Sequence, residues 1–492
     1  MRVENLCAVL NEGEADVGDQ MPTPPILYWM RRDLRLADNP ALSAAIATGA
    51  PVIPVFVLDP ETGAQGAAPL WRLGLSIAQI AKDLEAKGSR LILRKGNALD
   101  ALKTLAAETG AKTVMWNRLY DPVARTRDTD VKDGLRQAGL DASSHNGHLL
   151  FEPWTVETGQ GSFYKVYTPY WKAVRDRDPG AALPEPSVIP APDIWPSSEP
   201  LASWDLGRAM GRGADVVSAH VTVGEAAARA RLDAFIDGRV DRYNSARDML
   251  AEDGTSRLSE NLTYGEISTR TAYLAGRAAL DRGDTQAETF LKELVWREFA
   301  YHLVYHTPRI TTENWRPEWD QFGWQTDGPQ AESWRRAQTG LPVVDAGLRE
   351  MYVTGYMHNR ARMLVASYLT KHLLTHWKIG EAWFADCLID WDPASNAMGW
   401  QWAAGSGPDA SPYFRVFNPE TQAEKFDPKG QYRRRWIAEQ DPNPQPTALS
   451  YFEAIPESWD MSVRNGYPLR PLIDTSEGRV RALEAYTALK SG

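Results

Sequence analysis

Four short apolar runs, separated by helix-like stretches, restrict what the first third of this 492-residue chain can fold into. Ile26-Leu27-Tyr28-Trp29-Met30, Val52–Leu58, Leu91-Ile92-Leu93 and Thr113-Val114-Met115-Trp116 read as buried strands. Between them the chain turns at Asp38-Asn39-Pro40 and takes a helical texture from Ala41, over 70–87 and over 97–109. Strands alternating with helices at this spacing predict a doubly wound parallel α/β sheet. Such sheets bind ligands at the carboxyl ends of their strands. No GxGxxG follows the first strand, so a standard dinucleotide site is not predicted there.

Beyond 150 the texture changes twice. Residues 151–222 are Pro-rich and irregular, densest in proline from Pro179 to Pro200, which disfavours regular structure and suits a long surface linker. From 223 to 492 the period is helical, with no repeating strand signal and no internal repeat. The expected organisation is a loose extension over 1–24, an α/β domain over 25–150, a linker over 151–222 and a large all-α domain over 223–492. Cys7 and Cys387 are the only cysteines, too few for a disulfide framework or a four-thiolate iron–sulfur site, and they fit a reducing cytoplasm. The acidic start has no secretory signal, and no apolar run reaches membrane-spanning length. A net charge of −10 argues against a uniformly basic surface, while leaving room for one basic groove.

The chemistry concentrates in the helical half. Asp390–Trp402 packs two carboxylates, two neutral amides and three indoles into thirteen residues. Nothing there has the spacing of a metal site or a hydrolytic triad. The mixture suits a bound redox ring: carboxylates meet a cation or ring N–H, and an amide meets a ring nitrogen in either protonation state. An aromatic-rich helix junction in a core reads equally well from spacing alone. Gly254-Thr255-Ser256 ahead of a helix offers free N–H groups to a phosphate, or an N-cap by Thr255 or Ser256. Glu293, Trp296 and Arg297 share one side of a helix, with Glu293 and Arg297 spaced to pair at i,i+4. His358, Asn359, Arg362 and Met363 head another helix whose later residues read as core. His358 alone reads best as a hydrogen-bonded core histidine.

In this order the motifs resemble those of the photolyase/cryptochrome flavoproteins, across roughly residues 25–480. The resemblance is carried by Arg31-Arg32-Asp33-Leu34-Arg35-Leu36 with Asn39-Pro40, Trp116-Asn117-Arg118, Tyr164-Lys165-Val166-Tyr167-Thr168-Pro169, Gly254–Ser259, Glu293 with Trp296–Phe299, Met357–Arg360 with Arg362-Met363, and Trp400-Gln401-Trp402. It implies a Rossmann-like N-terminal domain and a helical domain holding a U-shaped FAD. The implied FAD contacts are Tyr243, Thr255, Ser256, Arg257, Leu258, Ser259, Arg362, Asp390, Asp392 and Asn396. Among them Arg362 and Asp390 form an ion pair beside the flavin, and Asn396 faces its N5. Asn at that position favours a repair enzyme over plant or insect cryptochromes. Trp400, Trp377 and Trp324 are implied as an electron chain from flavin to surface.

The same resemblance implies UV-damaged DNA as the partner. A pyrimidine dimer, flipped out as in other enzymes that work on bases, would meet Trp296 and Trp402, because indole faces match base faces. Glu293 would hydrogen-bond the thymine edge. Arg297, Asn359, Arg360 and Met363 would line the pocket or hold nearby phosphates. Gln422 and the run from Lys429 to Arg433-Arg434-Arg435 would grip the flanking backbone, though that run also reads as a solvated loop. The Asn359–Met363 stretch resembles enzymes for cyclobutane dimers rather than (6-4) photoproducts, and Asp392-Pro393-Ala394-Ser395 with Trp116-Asn117-Arg118 resembles class I or class III rather than class II. Ala397-Met398 departs from the common pattern. A second, light-harvesting chromophore is implied in the α/β half, methenyltetrahydrofolate first, deazaflavin or FMN otherwise, with Asn117 and Arg118 as contacts. The expected protein is a monomeric deoxyribodipyrimidine photo-lyase without an obligate protein partner. The rival is a cryptochrome-type photosensor, disfavoured by the lack of a long tail before Gly492. A flavin oxidoreductase using a nicotinamide donor is disfavoured by the missing fingerprint.

Overall fold

The computed structural model describes residues 23–491 apart from Ser411 and Phe414. Most of the expected N-terminal extension, and Cys7, lie outside the described residues. Five strands form one parallel sheet in the order β3-β2-β1-β4-β5: β1 is Ile26–Met30, β2 Val52–Leu58, β3 Ile92–Lys95, β4 Thr113–Asn117 and β5 Asp141–His145. Every residue of β1 and β2 is buried, as central strands covered on both faces require. Tyr28, Met30 and Phe56 feed one apolar layer, while Leu27, Trp29, Ile53 and Val55 feed the other. The fifth strand is absent from the sequence reading. Its residues, Asp-Ala-Ser-Ser-His, are mostly polar and only Ala142 is buried, because an edge strand needs no continuous apolar run.

The Arg31–Leu36 motif and its companions form one buried polar knot at the carboxyl end of the sheet. Asp33 accepts from the Tyr28 hydroxyl at 2.6 Å and from Asn117 Nδ2 at 2.6 Å. Asn117 Nδ2 also reaches Asn39 Oδ1 at 2.8 Å, and Arg35 donates to the carbonyls of Gly147 at 2.7 Å and Gly265 at 3.0 Å. The bond to Gly265 ties the sheet to the helical half. There Gly265, at φ +67°, comes so close that a Cβ would sit 2.1 Å from the Arg32 carbonyl oxygen. Arg72 crosses the same junction to Glu266 at 2.8 Å, both side chains fully buried.

After His145 the described chain has helices and loops, with the stretch 179–200 free of regular structure. Four helices frame the region of interest: Ala287–His306, Asn359–Ser367, Trp377–Cys387 and Pro393–Ala404. Among the described residues, no helix is long and apolar enough to cross a membrane.

Candidate active site

A cavity of about 510 Å³ opens where those four helices meet. The helix Pro393–Ala404 forms its floor, and local chemistry fixes where that helix starts. Asp392 caps it by accepting the Ser395 N–H at 2.8 Å, and Pro393 takes the first position, where no N–H is needed. The second Asp392 oxygen accepts the Tyr301 hydroxyl at 2.6 Å. Asp392 therefore lines the cavity with both oxygens already engaged. From this start the helix presents Asn396, Met398, Trp400 and Trp402 to the cavity.

Asp390 is used differently. Its Oδ2 accepts from Arg362 at 2.7 Å, forming the expected ion pair, while its buried Oδ1 has no partner. Trp400 Nε1, also buried on the lining, is unpartnered too. Buried polar atoms without partners are costly, and a flat heterocycle with ring N–H and carbonyl groups would satisfy both. The Asn396 amide is oriented by its own Nδ2, which donates to the Glu381 carbonyl at 3.1 Å. A carbonyl can only accept, so the nitrogen is placed there and the oxygen is left for the cavity. This donor and acceptor set fits an isoalloxazine.

The mouth carries Glu293, Trp296, Arg297, Asn359, Met363 and Trp402. The i,i+4 pairing expected of Glu293 and Arg297 does not form. Arg247 takes the Glu293 carboxylate, and Arg297 turns to the domain junction, donating to His148 Nε2 at 2.8 Å and Thr269 Oγ1 at 3.1 Å. Arg247 lines the cavity and is the functional residue that local spacing misses, because its partner lies 46 positions away. Trp296 is stacked on Tyr167, ring centroids 3.6 Å apart and planes 8° from parallel. His358 caps its helix by accepting the Arg360 N–H at 3.1 Å, and burial pushes its pKa down to about 4, so it is neutral.

Other expected contacts stand off the lining. Ser259 reaches the cavity, but Thr255, Ser256, Arg257 and Leu258 do not. The helix there begins at Ser259 with Leu258 in the cap position, so neither Thr255 nor Ser256 is its N-cap. Gly254 is required in that turn because a Cβ would lie 2.6 Å from the Ala246 carbonyl oxygen. Tyr243 is buried against Phe235 and Phe290. Arg360 pairs with Asp248 at 2.7 Å outside the cavity, and half-buried Gln422 is also outside it. In the basic run, Arg433 is held by Asp427 at 3.0 Å while Arg434 is exposed.

Trp400 lies on the cavity lining, and Trp377 and Trp324 lie off it. Trp400 packs onto Gly380, one turn beyond Trp377, closely enough that a Cβ there would meet its ring at 2.1 Å. Trp377 is fully buried and donates to Asn314 Oδ1 at 2.8 Å. His376 bridges onward, 5.6 Å from Trp377 and 5.2 Å from the half-buried Trp324.

A second cavity, about 230 Å³, lies beside the ends of β4 and β5. Arg118, Arg125, Lys132, Trp154 and Tyr305 line it. Asn117 does not: its side chain is consumed by the polar knot, which overturns its expected ligand contact.

Two family models match the chain: DNA photolyase over residues 26–188 and FAD binding domain of DNA photolyase over 290–488. A deoxyribodipyrimidine photo-lyase of Agrobacterium fabrum is 44% identical over 476 residues, 96% of this chain and 99% of that protein. Cryptochrome-2 of Arabidopsis thaliana is 35% identical over 84% of this chain and 70% of its own length. The crystal structure of a bacterial class III photolyase from Agrobacterium tumefaciens superposes with a TM-score of 0.89 at 44% identity, covering 97% of this chain and 100% of that one. With likeness of this extent in both sequence and fold, the chain belongs to the photolyase/cryptochrome family.

Proposed function

We propose that this chain is a deoxyribodipyrimidine photo-lyase, a light-driven DNA repair enzyme that splits cyclobutane pyrimidine dimers. The observation that carries this reading is a cavity walled by Trp296 and Trp402 at its mouth, with Asp390 Oδ1, Trp400 Nε1 and the Asn396 amide on its lining. The chemistry that reduced FAD would supply when bound is a reversible one-electron donation driven by light, with no net redox change. The residues placed to hold it are Ser259, Arg362, Asp390 and Asn396.

The chain itself binds and orients. Trp296 and Trp402 offer apolar faces to an extruded pair of bases. Glu293, fixed by Arg247, presents a carboxylate to their hydrogen-bonding edges. Met398 and Phe384 add apolar surface that excludes water. Arg434, Arg360 and Gln422 belong to the surface that meets the flanking phosphates. The protein acts as a cytoplasmic monomer, with the α/β half over 25–150 and the helical half over 223–492 joined by the linker 151–222. The direct test is repair of dimer-containing DNA in the light by enzyme with fully reduced flavin. No repair under those conditions would end the enzyme reading in favour of a photosensor.

Trp400, Trp377 and Trp324 carry electrons inward from the surface. Replacing Trp377 by Phe is expected to slow light-driven reduction of the flavin at least tenfold (roughly, for a hop that must be bridged without its middle indole). Repair by chemically pre-reduced enzyme should be unchanged. Loss of both activities together would show that Trp377 is only a packing residue.

The second cavity is the place for a light-harvesting chromophore, methenyltetrahydrofolate before deazaflavin or FMN. Trp154 and Tyr305 stand 5.5 Å apart there, with Arg125 4.0 Å over the Tyr305 ring. Two aromatic faces with nearby cations suit a planar anionic ligand. Trp154→Ala should purify without the antenna absorption band and with the flavin spectrum intact. Retention of that band would move the antenna elsewhere.

A further inference from the structure

The sequence motif Tyr164–Pro169 has no part in the cavity lining, yet its Tyr167 packs on Trp296 at the mouth and bonds to the loop that follows the Trp402 helix. The phenol ring lies flat on Trp296. Its hydroxyl donates to the Lys292 carbonyl at 2.7 Å, one turn before Trp296 on the same helix. Two attachments, one to the indole face and one to the helix that carries it, leave Trp296 little freedom to rotate. Phe299 closes the remaining side edge-on, 5.8 Å from Tyr167 and 5.8 Å from Trp296.

The backbone of Tyr167 is held from the loop that follows the Trp402 helix. Tyr167 opens the helix Tyr167–Val174, whose cap position is Val166, a residue with no side-chain acceptor. The missing acceptor comes from far along the chain: Asp409 Oδ2 takes the Tyr167 N–H at 3.0 Å. A carboxylate at a helix start is favoured by the free N–H groups and by the helix dipole. Asp409 sits on the loop that leaves the Trp402 helix through Gly405, which is at φ +91°. One short linker helix therefore connects the indole of one wall to the chain emerging from the other.

We infer that Tyr167 and Asp409 are positioning residues that fix the plane of Trp296 relative to the Trp402 wall, and so set the gap that receives the extruded bases. This rests on the reading of the cavity as the lesion site. Neither residue is in the lining, so neither acts on the reacting bonds; their effect is on binding and not on the rate of the bound complex.

The test uses full-length flavin-loaded enzyme, with every measurement normalised to flavin content. Dark affinity is measured for a short duplex carrying one thymine dimer and for the undamaged duplex, alongside the repair rate at saturating lesion. Tyr167→Leu removes the stack and should weaken dimer binding about tenfold, with undamaged-DNA affinity and saturated repair rate at wild-type values. Tyr167→Phe keeps the stack and should stay within about threefold of wild type. Asp409→Ala should weaken dimer binding in the same selective way, and Asp409→Asn, which keeps an acceptor oxygen, should restore it. The Asp409 pair carries the test if Tyr167→Leu fails to fold. Wild-type dimer affinity in both Tyr167→Leu and Asp409→Ala would overturn the inference while leaving the repair reading intact. A wild-type enzyme that binds both duplexes equally would overturn the repair reading, and the inference with it.

Discussion

Replacing Asp390 by alanine is expected to leave a folded protein that no longer retains FAD through purification. The carboxylate side chain is 2% exposed, against 24% for its partner Arg362, and the two are 2.7 Å apart. Removing one member of a well-buried pair costs about 3–5 kcal/mol because the other charge is left uncompensated. Arg362 is partly open to the cavity and also donates Nε to the Met357 carbonyl at 2.8 Å, so the protein itself should lose less. The larger loss falls on the ligand. The unpartnered Oδ1 is the lining acceptor best suited to a ring N–H, and hydrogen bonds to a charged group are worth about 1.5–3 kcal/mol. That corresponds to flavin binding roughly tenfold to a hundredfold weaker. Equilibrium dialysis of the flavin checks the affinity, and a thermal melt of flavin-free protein checks the fold. Wild-type flavin affinity in Asp390→Ala would mean that the pair only ties the helix Asn359–Ser367 to the turn before Pro393. Asp392 provides a contrast. Its oxygens hold the Ser395 N–H and the Tyr301 hydroxyl, so its loss should be felt first as a weakened helix start, before any effect on flavin.

The α/β half was legible where burial on both faces forces long apolar runs, as in Ile26–Met30 and Val52–Leu58. It was not legible at Asp141–His145, where an edge position removes that requirement. The site shows the same division. Asp390–Trp402 stood out because its polar groups and indoles are more than an apolar helix face needs, and the cavity accounts for most of them. The Arg362–Asp390 pair followed from the family resemblance, since no local rule links residues 28 positions apart. Local rules misled at Glu293 and Arg297. The i,i+4 spacing is worth only about 0.2–0.5 kcal/mol, and tertiary partners, Arg247 for one and His148 with Thr269 for the other, override it. Asn117 was rightly placed at a strand end, but spacing along the chain does not reveal that Asp33, Asn39 and the Ala41 N–H already occupy its amide. The turn Gly254–Ser259 lost its expected N-cap for a related reason. The chain adopts positive φ at Arg257, and the helix starts two residues later.

Trp296→Ala is expected to weaken dark binding of dimer-containing DNA by about 1–3 kcal/mol, the value of one base on an aromatic face. In affinity this is roughly fivefold to a hundredfold. The geometry makes the indole a one-sided platform: Tyr167 occupies one face at 3.6 Å, and the rest of the ring lines the cavity. A base that enters therefore has a single flat surface on this side, already held parallel and desolvated behind. Removing it leaves the Tyr167 ring recessed by one aromatic thickness, too far back to take over the contact without a shift of the linker helix. Arg360, Gln422 and Arg434, the residues proposed for the phosphates, lie outside the cavity, so affinity for undamaged duplex, and the salt dependence of both complexes, should not change. This selectivity separates a lost stack from general damage to the protein, which would weaken both. Once the lesion is driven to saturation, Glu293 and the Asn396 lining are still in place, and repair should proceed at a rate within about tenfold of wild type, reduced only as far as a loosely held base spends time out of reach. Unchanged discrimination between damaged and undamaged duplex would remove Trp296 from the lesion site and leave that role to Trp402.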